Sequence, residues 1–330
     1  MRTSSDILRP LAVTAIGSMP HLSVAGALPS ILACQGIPAW PQLVQRSPGY
    51  GMLAQALAGV PGLAVDSQGQ VTLPAGFGGS VVAQATPRIP DALASLRFAA
   101  SPDVALKGQI AGPITLSLNC SLADGASVAD NAGACDAIAG FIAVAAAAQE
   151  AALDGGLLFL DEPDLARGLR DPRLGPDRCR SLLGEVLSAV TGPVGVHTCD
   201  VPDLAFLLSL PIDVISVDAY RYGDELPAPA VADFLRRGGW LAWGIVPSEA
   251  DPLQHQNAAS LSDKLRSIWR RLERGGAPAA LLRSRALITP SCGLGQLSIS
   301  QAEFALHLTQ QVAASLRAEQ IAEVTAGQPA

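Results

Sequence analysis

The stretch Leu157-Leu158-Phe159-Leu160-Asp161-Glu162-Pro163 runs through four apolar residues and stops on two carboxylates and a proline. Val194-Gly195-Val196-His197-Thr198-Cys199-Asp200 follows the same plan, an apolar run that ends in reactive side chains. A strand that is apolar nearly throughout, rather than at alternate positions, belongs in a parallel sheet covered on both faces. Such runs recur at Leu11–Ile16, Ile37–Leu43, Val104–Ile110, Leu157–Leu160, Val194–His197, Val214–Val217, Trp240–Val246 and Ala286–Thr289, eight in all. Between them, apolar residues three and four apart predict helices, clearest over Ala132–Asp154, Arg178–Val190, Ala230–Arg237, Leu261–Glu273 and Ala302–Glu319. The alternation is βα, and eight strands fit a closed (β/α)8 TIM barrel better than an open doubly wound sheet. The open sheet needs a glycine-rich turn after its first strand, and Ile16-Gly17-Ser18-Met19-Pro20 does not supply GxGxxG.

No Ser/Gly or Pro-repeat linker divides the chain, so residues 1–330 read as a single barrel domain. Two stretches between 61 and 103 are too long for simple loops. Pro61–Pro74 reads as a hairpin around Gln68-Gly69, and Gly78–Asp103 follows it; both are expected to cap one end of the barrel.

With 49% apolar and 15% charged residues among 330, the chain has ample material for one large core and is too apolar to be disordered. Mean hydropathy is +0.32. Even so, the longest uncharged apolar run, Ala137–Ala148, is interrupted by Gly140 and is too short to span a bilayer. A net charge of −7 and no basic run argue against a nucleic-acid partner. The N-terminal residues lack a long apolar segment after a basic start, and the six cysteines, at 34, 120, 135, 179, 199 and 292, form no CxxC pair. Both features predict a cytoplasmic protein with reduced thiols.

In a (β/α)8 barrel the active site lies at the C-terminal ends of the strands. The unusual clusters all fall there: Gly17-Ser18, Asp161-Glu162-Pro163, His197-Thr198-Cys199-Asp200, Asp218 and Ser291-Cys292-Gly293. His197 and Cys199, two apart at a strand end, project from one face and could reach one metal ion. Imidazole with thiolate suits Zn2+, and Cys292 offers a second thiolate at the end of the last strand. The plainer reading makes His197 a hydrogen-bonded core histidine and the cysteines ordinary buried thiols. Asp161 could hold a substrate ammonium group or orient a proton, or it could belong to a solvated turn or cap. Ser18 could cap a helix or bind a carboxylate. His21 stands beside the first loop, His255 in a polar loop and His307 in a helix. Cys34, Cys135 and Cys179 fall in helical segments, as core or near-surface thiols.

In order and spacing these clusters resemble the catalytic half of cobalamin-independent methionine synthase, in the superfamily shared with uroporphyrinogen decarboxylase. The chain is more similar still to the short, single-barrel methionine synthase-like proteins. The likeness is carried by AIGSMPH at Ala15–His21, IPAWPQLVQRS at Ile37–Ser47, KGQIAGPIT at Lys107–Thr115, FLDEP at Phe159–Pro163, GVHTCD at Gly195–Asp200, DVISVDAY at Asp213–Tyr220, LAWGIVPS at Leu241–Ser248 and ITPSCGLG at Ile288–Gly295. The resemblance implies a zinc-dependent methyltransferase that forms methionine from homocysteine. It implies zinc ligands His197, Cys199 and Cys292, with Asp218 where the full-length enzymes use Glu. It also implies Ser18 near the homocysteine carboxylate and Asp161 at its amino group. A second acidic residue for that amino group has no counterpart in RSPGYGM at Arg46–Met52.

The departures bear on the methyl donor. The full-length enzymes carry an additional half, a His after the seventh strand and a Trp near the third-strand motif; this chain has one barrel, Pro247 and Leu118-Asn119. Methyltetrahydrofolate is therefore disfavoured, and a methylcorrinoid such as methylcobalamin, carried on a partner protein, is the expected donor. The alternatives are another small thiol acceptor such as coenzyme M, a uroporphyrinogen decarboxylase-like activity, or a decayed barrel that serves as an interaction partner.

Overall fold

The computed structural model describes residues 7–33, 36–200 and 204–326. Seven parallel strands form one curled sheet: Ala12–Val13, Lys107–Ala111, Leu157–Asp161, Val194–Thr198, Val214–Val217, Trp240–Val246 and Ala286–Pro290. Their order in the sheet follows the chain, with Ala12–Val13 hydrogen-bonded to Ala286–Pro290. The eighth expected strand, Ile37–Leu43, is not continuous. Single parallel bridges join Gly36 to Val13 and Ala39 to Lys107 and close the ring between its first and second regular strands. Pro38, which has no N–H to give a ladder, still accepts from Lys107 N at 2.8 Å through its carbonyl. Further along, Gln42–Leu43 pairs in parallel with Ser18–Met19, and the result is the (β/α)8 barrel with one interrupted stave.

Every residue of the six longer strands is buried. Side chains two apart share a face, and the inward face changes character along the barrel. Ala12, Ile37, Leu157, Phe159, Val214, Trp240, Ala242 and Leu287 pack together as an apolar floor, closed beneath by Ile7 and Leu8. Two residues further along the same strands stand Asp161, Ser216 and Thr289. The floor gives a dry, rigid base, and polar groups appear only where the barrel opens.

Helix Ala132–Leu153 is rich in Ala, the best helix former, starts on an Asn131 cap that accepts from Ala134 N, and ends at Asp154 in the left-handed region (φ 51°). It matches the expected helix over Ala132–Asp154; Gly140 does not interrupt it, and its 22 residues are long and apolar enough to cross a membrane, beyond what the run Ala137–Ala148 suggests. Its apolar residues are instead spent on the barrel, against Lys107–Ala111, Leu157–Asp161 and helix Gly175–Ala189. The other expected helices are present as Gly175–Ala189, Ala228–Arg236, Ala258–Arg274 and Ile299–Ala326.

The hairpin around Gln68-Gly69 pairs Ala64–Val65 antiparallel with Val71–Leu73. Its turn is held by Asp66 Oδ1, which accepts from Gln68 N at 2.8 Å and Gln70 N at 2.9 Å. The hairpin tip reaches the cavity at the open end of the barrel, whereas no residue of 78–103 lines that cavity. Helices Gly79–Val82 and Asp91–Ala99 lie instead along the flank of Ala132–Leu153. Cys135 and Cys179 are buried helical thiols as expected; Cys34 lies outside the described residues.

Glu162 ties two staves together at the open end. One carboxylate oxygen accepts from Ile114 N at 2.9 Å, and the other from Thr115 N at 2.7 Å and Thr115 Oγ1 at 2.6 Å. These bonds cap the helix Pro113–Asn119 with a fully buried group. Burial raises the Glu162 pKa to about 7 against the pull of those three donors. Glu162→Ala strands two buried N–H groups and is expected to cost about 2–4 kcal/mol, read as a lower urea midpoint, with Glu162→Gln losing less because it keeps an acceptor.

Candidate metal centre

Three side chains converge just above the polar layer. His197 Nε2 lies 3.0 Å from Cys199 Sγ, and Cys199 Sγ lies 2.7 Å from Cys292 Sγ. Their donor atoms all fall within 4.8 Å of one another, the grouping among the described residues that could hold a metal ion. His197 and Cys199 come from the end of Val194–Thr198, and Cys292 from just beyond Ala286–Pro290. The sequence pairing of HxC with a distant cysteine is thus realised in space.

The donor set has the chemistry of a zinc site, one imidazole with two soft sulfurs. Zn–S bonds near 2.3 Å place the two sulfurs on one tetrahedral ion about 3.7 Å apart, so the pair must open by about 1 Å to take it. The two sulfurs stand within hydrogen-bond distance of each other. The bond from Cys199 to Cys292, helped by the nearby imidazole of His197, holds the Cys292 thiol well below its ordinary range. The same bond, together with burial, pushes Cys199 up.

Asp218 takes a different position from the other expected ligands. Its Oδ1 accepts from Arg221 N at 2.9 Å and caps the short turn Ala219–Tyr222. It is not among the converging donors. Burial raises its pKa.

A cavity of about 650 Å3 opens over the three donors, within the usual range for small-molecule sites. Asp161 and Ser18 both line it. Asp161 Oδ1 is buried and has no hydrogen-bond partner, an arrangement that is costly unless something binds there. Ser18 is clasped to the last loop: its carbonyl accepts from Leu294 N at 2.9 Å. A Cβ on Gly293 would fall 1.9 Å from Ser18 Oγ, so only glycine leaves room for that hydroxyl beside Cys292. Gly17, at φ +136°, makes the preceding turn and lies flat on Gln109. The outer wall is formed by amides and apolar groups such as Gln45, Gln68, Met52 and Leu53, and Asp161 is the one carboxylate among its lining residues, which include no Lys or Arg.

Two contributors were not singled out from the sequence. Lys107 is fully buried, donates to Ile16 O at 2.7 Å and stands 4.8 Å over the Phe159 ring. Ser216 Oγ lies 3.0 Å from His197 Nδ1. The signal for Lys107 was a charge inside a strand that is otherwise buried. For Ser216 it was the spacing of two from Asp218 on the inward face. Of the remaining histidines, His21 is buried away from the cavity, 3.8 Å from Glu303, while His255 and His307 are outside it on the surface. Asn119, at the expected Trp position, bonds to Asp164 and Thr115.

No protein-family model matches the chain, and a search of curated proteins finds no match. Among solved structures it superposes on a B12-independent methionine synthase from Shewanella sp. W3-18-1, in complex with selenomethionine, with a TM-score of 0.67 and 15% identity over 95% of this chain and 99% of that one. It also superposes on a methyltransferase from Methanosarcina mazei, with a TM-score of 0.52 and 16% identity over 92% and 94% of the two chains. The fold is the methionine synthase-like barrel. It agrees with the resemblance carried by the sequence motifs and extends over nearly the whole of both compared chains.

The charges beneath the cavity oppose each other. Burial lowers the Lys107 pKa to about 8, with the Asp161 charge pulling the other way, and burial raises the Asp161 pKa to about 6 against Lys107. Between pH 8 and the ordinary lysine value of 10.5 the unfolded chain keeps a proton that folded Lys107 has lost. Stability from this group therefore rises with pH across that window, by about 3 kcal/mol at most. Urea midpoints measured from pH 7.5 to 10.5 are expected to rise for the parent relative to Lys107→Met, in which the difference disappears.

Proposed function

We propose that this protein is a zinc-dependent thiol methyltransferase whose acceptor is homocysteine and whose product is methionine. The observation that carries the reading is the convergence of His197, Cys199 and Cys292 on a cavity that is also lined by Asp161, whose buried Oδ1 has no hydrogen-bond partner. The fold shared with a methionine synthase and a methyltransferase supports it.

His197, Cys199 and Cys292 would hold the ion, and Asp218 would serve as a fourth ligand only if its bond to Arg221 N is released. Zinc in such a site supplies Lewis acidity, so that a substrate thiol is held as its nucleophilic thiolate at neutral pH. The protein's own groups orient the acceptor. Asp161, ionised above about pH 6, would meet the amino group, and Ser18, also on the cavity wall, would meet the carboxylate. The apolar floor below keeps bulk water from the reacting sulfur. In the transfer a sulfur–methyl bond forms and the carrier–methyl bond breaks, its electron pair staying on the carrier. The thiol proton passes to solvent. Positioning, rather than bond-making by side chains, is the contribution of Ser18 and Asp161.

The donor we favour is a methylcorrinoid, methylcobalamin or its like on a partner protein. A cavity wall of amides and apolar side chains without Lys or Arg suits a donor that brings no row of carboxylates. Pro247 and Asn119 replace the acid and the stacking ring a folate donor uses. The second reading, methyltetrahydrofolate as donor, draws on the fold shared with the B12-independent methionine synthase from Shewanella. We also propose a cytoplasmic location, which free thiols at the site support.

The test is to measure bound zinc together with methyl transfer, offering methylcobalamin or methyltetrahydrofolate as donor and homocysteine or coenzyme M as acceptor. About one zinc per chain and transfer from methylcobalamin to homocysteine are expected, with Cys199→Ala and Cys292→Ala losing both, the rate by about two orders of magnitude or more. A metal-free protein whose cysteine variants match the parent overturns the reading.

A further inference from the structure

We infer that Ser216 is a positioning residue of the metal centre: its hydroxyl holds His197 in the tautomer and orientation that turn Nε2 toward Cys199 and Cys292. The inference rests on the zinc reading of that site. Ser216 and His197 are direct partners across the parallel pair Val194–Thr198 and Val214–Val217. Their side chains therefore leave the sheet on the same face, side by side. Ser216 Oγ lies 3.0 Å from His197 Nδ1, while the other ring nitrogen, Nε2, faces the cysteine sulfurs. Ser216 is 1% exposed and His197 2%, so bulk water does not stand in for either partner.

A ligating Nε2 needs its lone pair free, which leaves the ring proton on Nδ1. That N–H must then find an acceptor, because a buried donor without one costs about 1–3 kcal/mol. Ser216 Oγ is the acceptor in reach. Metal-bound histidines often give this proton to a carboxylate, but a carboxylate here would add charge to a site already holding two sulfurs and lying beside Asp161. A neutral hydroxyl fixes the ring without that addition. The position also explains a polar side chain in the midst of Val214-Ile215-Ser216-Val217, where every residue is buried.

The test compares zinc affinities of the purified full-length chain by competition with a chromogenic chelator. Ser216→Ala is expected to weaken zinc binding about 10- to 100-fold. Ser216→Thr, which keeps the hydroxyl, is expected to stay within a few-fold of the parent, and Ser216→Val, of the same shape but without it, to behave like Ser216→Ala. In the cobalt-substituted protein, the visible bands of a tetrahedral site are expected to shift in the Ala and Val variants and to persist in the Thr variant. Ser262→Ala removes a buried serine of the outer helix Ala258–Arg274 and is expected to leave metal binding unchanged. Parent-like zinc affinity in both the Ala and Val variants overturns the inference, as does equal weakening in Thr and Val, which would mean packing rather than the hydroxyl. A parent protein that takes up no zinc overturns the zinc reading itself, an outcome separate from these.

Discussion

A strand in a closed barrel has no solvent face, so each inward position must be filled by something that tolerates burial. In the lower half that demand is met by apolar side chains, with Phe159 and Trp240 the largest of them. At the open end the same two-residue period brings Asp161, His197 and Ser216 onto the inner wall, where nearly all water has been excluded. Low local polarity makes each charge there expensive unless it is answered nearby. Lys107 below Asp161, three donors around Glu162 and a hydroxyl beside His197 are those answers. The site is thus a consequence of barrel closure as much as of the residues that line it.

The burial that makes these groups costly also makes them useful. A carboxylate such as Asp161, held in a dry wall with one oxygen unpartnered, interacts more strongly with an arriving ammonium group than it would on the surface. The sulfurs of Cys199 and Cys292 are likewise brought side by side at the rim of the barrel. Both groups are preorganised, because the strands that carry them are hydrogen-bonded to neighbours on either side. Little rearrangement remains to be done on binding apart from the opening of the sulfur pair.

Much of this was legible in the sequence. Continuous apolar runs announced strands buried on both faces, and HxC at the end of one of them announced His197 and Cys199 on one face. Cys292 could be added because it ends another strand. The less regular features were hidden for physical reasons. Ile37–Leu43 reads as one strand by composition, but around Pro38 the ladder is broken, leaving a bridge at Ala39 and a short strand Gln42–Leu43 paired with Ser18–Met19. Asp218 is implied as a ligand by the family resemblance alone, and its local bond to Arg221 N, which makes it a cap, has no sequence signal of its own. Ser216 and Lys107 are ordinary residue types whose roles depend on cross-strand neighbours about 20 and 90 positions away, and no local pattern carries that information.

The clasp between the first and last loops has a consequence for how the protein is made. Cys292 lies 93 residues after Cys199, and Gly293 packs against Ser18 from the opposite end of the chain. A ribosome releasing this polypeptide from its N-terminus presents His197 and Cys199 long before their third partner emerges. The incomplete barrel can offer a metal two ligands at most from this trio, and the Ser18 wall has nothing to close against. Completion of the trio therefore coincides with the seating of the last stave, so the three donors meet only in the finished barrel.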